Sequence, residues 1–168
     1  MGFLLVLGGA RSGKSDRAAR VAAESGMPVT FIATATSGDA EMTDRISRHR
    51  TARPGDWETI EEPLDLDAVV AAVSADRFVV IDCLTLWVSN LLGAGVPAAE
   101  IPGRAGQLAS QLATMQGVVV SNEVGLGIVP MNDLARTYRD ALGAVNAAFA
   151  RCAERSVFMV AGKTLELT

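Results

Sequence analysis

At 168 residues, 49% of them apolar, the chain has the length of one ordinary domain and enough apolar material to bury a core, which argues against disorder. Charged residues make up 20% and the net charge is −4, so there is no general basic surface and a nucleic-acid partner is not expected. Two cysteines, Cys83 and Cys152, lack metal-ligand spacing and are expected to be buried, reduced thiols. The apolar run FLLVL near the start is five residues long, has no basic residue before it and ends at glycines, so it does not read as a signal peptide. No stretch approaches the roughly 20 apolar residues of a membrane helix. The expectation is a cytoplasmic protein with no membrane partner, one domain over residues 1–168.

In chain order, apolar runs at FLLVLG (3–8), PVTFIATA (28–35), RFVVIDC (77–83), GVVVSN (117–122) and SVFMVAG (156–162) read as strands. They are rich in Val, Ile and Phe and do not alternate with polar residues, which is the pattern of strands buried on both faces of a parallel sheet. Helices are expected at Ser15–Ser25, Asp65–Ser74, Leu84–Leu92, Gln107–Met115 and Met131–Arg155. The helix 84–92 is apolar on nearly all sides and should be buried or lie at a subunit contact. GAGVPAAEIPG (93–103) reads as a loop. Strands alternating with helices imply an α/β domain with a mostly parallel central sheet and helices on both faces.

GGARSGKS, residues 8–15, fits G-x-x-x-x-G-K-[ST], with a strand before it and a helix after it. Gly8 and Gly13 allow backbone conformations that a side chain would oppose. Successive amides can then line an anion nest, aided by the positive end of the following helix. Lys14 is expected to reach the β and γ phosphates of a nucleotide, and the Ser15 hydroxyl to bind Mg²⁺. Asp82 ends the apolar strand FVVID, where a carboxylate either helps to hold Mg²⁺ through water or caps the next helix. Glu123, in SNEVG, follows another strand and is a candidate for the acceptor site or a general base, or else a surface cap. The chain lacks the N-K-x-D stretch with which regulatory GTPases read guanine, so any guanine must be read by other groups.

The only histidine, His49, lies in RISRHR. Met42, Ile46 and His49 share a helical face, with Arg45, Arg50 and Arg53 close by and Pro54 ending the helical tendency. One reading is a solvated, basic helix end. The other is a nucleophile that attacks the α-phosphorus of a nucleotide whose phosphates the arginines bind. Glu61 and Glu62 follow on an extended segment, where a carboxylate can accept two N–H bonds from a guanine edge. From the residues alone, a plain P-loop small-molecule kinase and a nucleotide-binding regulatory protein remain as alternatives.

GGARSGKS, FIATA, the RI..HR..RP..W.T.EEP pattern, IDCLTLW.SNLL and VSNEVG.GIVP together resemble the bifunctional adenosylcobinamide kinase / adenosylcobinamide-phosphate guanylyltransferase family, from Phe3 to about Lys163. The resemblance implies a P-loop NTPase domain of RecA-like type and a homotrimer. It implies phosphorylation of adenosylcobinamide, then GMP transfer from GTP to adenosylcobinamide phosphate through a GMP-histidine intermediate. The product would be adenosylcobinamide-GDP. By motif match the histidine is His49, and Lys14 serves the phosphoryl transfer. Nucleotide contacts, for GTP or ATP with Mg²⁺, would fall on Gly8, Gly9, Ala10, Arg11, Ser12, Gly13, Lys14 and Ser15, and on Ala33, Thr34 and Ala35. Further contacts would fall on Arg50, Thr51, Ala52, Arg53, Glu61 and Asp82, with Ser15 and Asp82 as the metal ligands. Some relatives carry two adjacent histidines. This chain has Arg48 at the first position and keeps His49 at the second.

Overall fold

Leu5, Val6 and Leu7 are neighbours in the chain but belong to two different cores. Leu5 and Leu7 pack with Val79, Ile81 and Val119, whereas Val6 packs with Phe78, Val80, Val118 and Val120. Successive side chains of a strand point to opposite faces, so a strand covered on both faces must be apolar at every position. That is why the strand segments read as unbroken apolar runs.

The computed structural model describes residues 2–36 and 54–167. Its strands are β1 (Phe3–Gly8), β2 (Val29–Ala33), β3 (Glu58–Glu61), β4 (Phe78–Asp82), β5 (Gly117–Val120), β6 (Arg155–Val160) and β7 (Lys163–Leu167). They form one sheet in the order β3-β2-β4-β5-β1-β6-β7. Every pairing is parallel except that of β7, which lies antiparallel to β6. The helices are α1 (Lys14–Glu24), α2 (Leu66–Ala72), α3 (Leu84–Gly93), α4 (Ile101–Leu112) and α5 (Asp133–Cys152). Helices α2 to α5 cover one face, through residues such as Leu66, Trp87, Leu108, Leu142 and Phe149. Among the described residues, α1 covers the other with Ala18 and Ala22. Phe3 and Phe149 meet edge to face, with ring centroids 5.9 Å apart. The architecture is a mixed, mostly parallel α/β sheet with flanking helices. No helix among the described residues is long and apolar enough to cross a membrane.

Several boundaries differ from the sequence reading. Helix α4 begins at Ile101, inside the stretch expected to be a loop, because Pro102 occupies its first turn, where a missing N–H costs nothing. Helix α5 begins at Asp133, not Met131, since the Asn132 side chain accepts a hydrogen bond from the Ala135 amide (2.7 Å) and caps it. Its end moves back to Cys152 because Ala153 is extended and Arg155 opens β6. The sequence reading missed β7. Residues 163–167 are exposed throughout and carry no apolar run, and a two-residue turn at Ala161 and Gly162 folds them back on β6. Both turn residues have positive φ, 49° and 75°, as a type I′ hairpin requires. Leu84, Thr85, Trp87, Val88 and Leu91 of α3 are buried within the chain, so the apolar character of that helix is explained without a subunit contact. The two thiols are free and partly buried, rather than fully buried.

Candidate active site

Because β1 to β6 run parallel, their C-terminal ends share one edge of the sheet, the edge at which open α/β sheets bind ligands. Gly8, Ala33, Glu61 and Asp82 are the last residues of β1 to β4. The register pairs Ala33 with both Glu61 and Asp82. Backbone bonds continue the stitching past the strand ends. The Thr34 amide donates to the Asp82 carbonyl (3.1 Å), the Glu62 amide to Ala33 (3.0 Å) and the Glu123 amide to Gly8 (3.1 Å). Five separate segments nominated from the sequence therefore meet along one edge. His49, Arg50, Thr51, Ala52 and Arg53 lie outside the described residues, as do Met42, Arg45 and Ile46.

The loop from Gly8 to Lys14 is tight. A Cβ at Gly8 would stand 2.5 Å from the Met159 carbonyl and 2.9 Å from the Ser12 hydroxyl, so no larger residue fits without moving β6. Gly13 has φ 95° and forms the N-cap of α1 with no side-chain cap bond, which leaves the first-turn amides for an anion. Lys14 is buried, and its Nζ donates to the Gly9 carbonyl (2.5 Å) and to the Ser12 hydroxyl (3.3 Å). The ammonium is thus folded back along the concave side of its own loop. Ala10 and Arg11 form the exposed tip. The β6–β7 turn supports the loop from behind, with the Gly162 amide donating to the Ser12 carbonyl (3.1 Å).

Thr34 is fully buried. Its hydroxyl donates to the Cys83 carbonyl (2.7 Å) and accepts from the Cys83 amide (2.8 Å), while Asn90 donates to the Thr34 carbonyl (2.8 Å). The side chain is therefore committed to holding β2 against the chain that leaves β4. Asp82 is half-buried at this junction and Glu61 is exposed. Burial pushes the neighbouring Cys83 thiol up to about 11, and the charge of Asp82 adds to the shift. Among the described residues no three His, Cys, Asp or Glu side chains gather to hold a metal. One hydroxyl and one carboxylate, Ser15 and Asp82, suit Mg²⁺, which keeps several waters and uses substrate phosphates to complete its shell.

A second polar cluster, missed by the sequence reading, fixes the chain leaving β5. Buried Ser121 donates to Asn146 Oδ1 (2.6 Å), and Asn146 Nδ2 donates to the Asn122 carbonyl (2.9 Å). The Asn122 amide donates to the Thr85 hydroxyl (2.8 Å), and the Tyr138 hydroxyl to the Thr85 carbonyl (3.2 Å). Burial, followed by the nearby Cys83, pushes the Tyr138 phenol up to about 12. The available signal was polar residues, Thr85 and Asn146, at buried positions of otherwise apolar helical faces. The Glu123 carboxylate turns back onto the Gly125 amide, so it is engaged within its own loop.

A strand, glycine loop and helix at the C-terminal edge of a mostly parallel sheet define a P-loop NTPase-like α/β protein. Solved structures agree on that fold. A protein of Pyrococcus horikoshii OT3 matches over 98% of this chain and 85% of its own, at TM-score 0.59 and 9% identity. The flagellar accessory protein FlaH of Methanocaldococcus jannaschii matches over 97% and 74%, at TM-score 0.51 and 13% identity. Within this class the chain belongs to the cobinamide kinase / cobinamide phosphate guanyltransferase family, which it matches over residues 4–167. It is 48% identical to the bifunctional adenosylcobalamin biosynthesis protein CobP of Pseudomonas aeruginosa, over 97% of this chain and 95% of that protein. It is 38% identical to the bifunctional adenosylcobalamin biosynthesis protein CobU of Escherichia coli K12, over 95% and 96%.

Proposed function

We propose that this chain carries out both reactions of its family at the one strand edge described above. It is a bifunctional adenosylcobinamide kinase and adenosylcobinamide-phosphate guanylyltransferase of cobalamin biosynthesis. The observation that supports a shared site is the convergence of the Gly8–Lys14 loop, Ala33, Glu61 and Asp82 on that edge.

In the kinase step the hydroxyl oxygen of the aminopropanol arm attacks the γ-phosphorus of GTP or ATP. The bond to the β,γ-bridging oxygen breaks, the nucleoside diphosphate leaves with the electron pair and the hydroxyl proton is released to solvent. Lys14 and the loop amides stabilise charge on the transferred phosphoryl group. Mg²⁺, when bound by Ser15 and Asp82 with the nucleotide, neutralises part of the phosphate charge. In the second step neutral His49 attacks the α-phosphorus of GTP. The bond to the α,β-bridging oxygen breaks and pyrophosphate departs with the electron pair, held by the glycine loop. A phosphate oxygen of adenosylcobinamide phosphate then attacks the same phosphorus, and the P–N bond breaks to restore His49. Division of one transfer into two displacements is what a covalent intermediate contributes. Protonation of His49 removes its nucleophile, so this half-reaction declines at acidic pH.

Arg50, Thr51, Ala52 and Arg53 line the nucleotide beside His49. Gly8 to Ser15 cradle its phosphates, and Ala33 and Ala35 border it. Thr34 holds this border in place, and Glu61 reads guanine. The domain is of RecA-like type, spans residues 1–168, works in the cytoplasm and assembles as a homotrimer. The test is incubation with GTP labelled at the α-phosphate, followed by denaturation. Acid-labile, alkali-stable label on the wild type, and none on His49→Asn, is the expected result. Unlabelled wild type that still forms adenosylcobinamide-GDP would refute the covalent route.

A further inference from the structure

We propose that a cavity between the C-terminal end of α3 and the first turn of α5, with the apolar loop leading into α5, binds the corrin macrocycle of adenosylcobinamide. This rests on the activity assigned above and locates its acceptor. The cavity has a volume of about 580 Å³ and is lined by Ser89, Leu92, Asn132, Leu134, Ala135 and Tyr138 among others. That lies within the range of roughly 300–1,000 Å³ typical of small-molecule pockets.

Charge separates the two substrates. A nucleoside triphosphate needs cations or amides around its phosphates, and the loop at residues 8–15 offers both. Among the described residues, none that lines the α3–α5 cavity carries a charge. Leucine, alanine and the tyrosine ring suit the methyl-studded surface of a corrin. The Ser89 hydroxyl, the Asn132 amide nitrogen and the Tyr138 oxygen suit its peripheral carboxamides. Asn132 accepts the capping bond through Oδ1, so its amide nitrogen faces no competing demand from that cap.

The apolar surface continues beyond the cavity. Leu126, Ile128, Met131 and Leu134 are 80%, 98%, 97% and 72% exposed. They stand on a braced segment. The Glu123 amide ties its start to Gly8 (3.1 Å), and Arg136 holds its end by donating to the carbonyls of Pro130 (2.9 Å) and Met131 (2.6 Å). Exposed apolar side chains on a fixed backbone form a preorganised surface for a large, flat ligand.

The position also serves the chemistry. Tyr138, on the cavity wall, bonds to the Thr85 carbonyl, and Thr85 bonds to Asn122, one residue before Glu123. A hydrogen-bonded layer of Tyr138, Thr85 and Asn122 thus links the cavity wall to the chain leaving the strand edge. A macrocycle seated outside that layer can send its flexible arm across to the transferred phosphoryl group. The ring itself stays out of the phosphate site.

The test compares steady-state kinetics of wild type, Leu134→Lys and Ser89→Lys, which place an ammonium on opposite walls, with Leu165→Lys on exposed β7 as control. Both wall variants should raise the KM for adenosylcobinamide about tenfold or more, since a cation would be buried against the cationic cobalt corrin. The nucleotide KM, kcat at saturating adenosylcobinamide and sedimentation behaviour should stay at wild-type values, as should every parameter of the control. If either folded wall variant keeps the wild-type KM for adenosylcobinamide, the location is wrong. A change in oligomeric mass in step with lost activity would also overturn it, by making this face a contact between copies. Failure of the wild type itself to phosphorylate adenosylcobinamide would refute the activity, and the acceptor site with it.

Discussion

The loop after β1 and the loop after β5 leave the same sheet edge and share a hydrogen bond, from the Glu123 amide to the Gly8 carbonyl (3.1 Å). They are made of opposite materials. The first buries Ser12 and Lys14 and turns its amides inward, whereas the second carries Leu126, Ile128, Val129 and Met131 into solvent. A polyanion is held by a small, wrapped cradle whose own cation is kept close. A large ring with a methyl-studded periphery suits an open apolar shelf. Two neighbouring loops can therefore receive two chemically unlike substrates without competing for the same groups.

The largest effect that would sharpen this contrast is on Lys14. Lys14→Met keeps the length of the side chain and removes the charge. Turnover should fall roughly 10²- to 10³-fold in both half-reactions, the scale of losing one preorganised charge stabiliser. The KM for adenosylcobinamide should change little, the reverse of Leu134→Lys. If Lys14→Met spared the guanylyl step, the glycine loop would not hold the departing pyrophosphate.

Within the first loop, two adjacent glycines should behave differently. Gly8→Ala drives a Cβ against the Met159 carbonyl at 2.5 Å, and backbone cannot swing aside as a flexible side chain would. A loss of about 1–3 kcal/mol is expected from the denaturant midpoint. Gly9→Ala meets nothing within 4 Å and should stay within about 0.5 kcal/mol of wild type. Equal effects would mean that contact with β6 does not set the shape of the loop.

The second loop depends on a side chain far away in sequence. Asn146→Ala removes the partner of the buried Ser121 hydroxyl and a donor to the Asn122 carbonyl. A cost of about 1–2 kcal/mol is expected, because a buried polar group is left without its bond. Hydrogen exchange should rise at residues 121–125 and leave the Gly8–Lys14 segment unchanged.

The same contrast explains what could be read from the chain. The glycine loop was legible because its function needs consecutive residues at fixed spacing, and β1, β2, β4, β5 and β6 because strands buried twice must be apolar throughout. Asp82 was legible as the polar end of such a run. The Ser121–Asn146 and Thr85–Tyr138 bonds were not, since each joins segments that only the fold brings together. The cavity was hidden for a related reason. Ser89 and Leu92 belong to one helix and Leu134 and Tyr138 to another, and the concavity exists only between them. Strand β7 carries no pattern of burial, because it is an exposed edge.

The smallest effect concerns pH and the junction of the two regions at Cys83. The thiol has an ordinary value of 9.0 and is pushed up to about 11, first by burial and then by Asp82. Below pH 9 the folded and unfolded chains both hold this proton, and the partly buried neutral thiol contributes its full stability. Between pH 9 and 11 the unfolded chain releases the proton while the folded chain retains it, so stability falls as pH rises. Tyr138, raised from 10.0 to about 12, adds a decline of the same sign at slightly higher pH. Melting temperatures of the wild type should therefore be flat from pH 7 to 9 and drop towards pH 11. Cys83→Ser keeps a small polar side chain without the ionisation, and its decline should begin later and be shallower. Superimposable profiles would mean that the thiol is solvated in the folded state and that the Thr34–Cys83 junction is open to water, which would weaken the separation of nucleotide and corrin regions at that point.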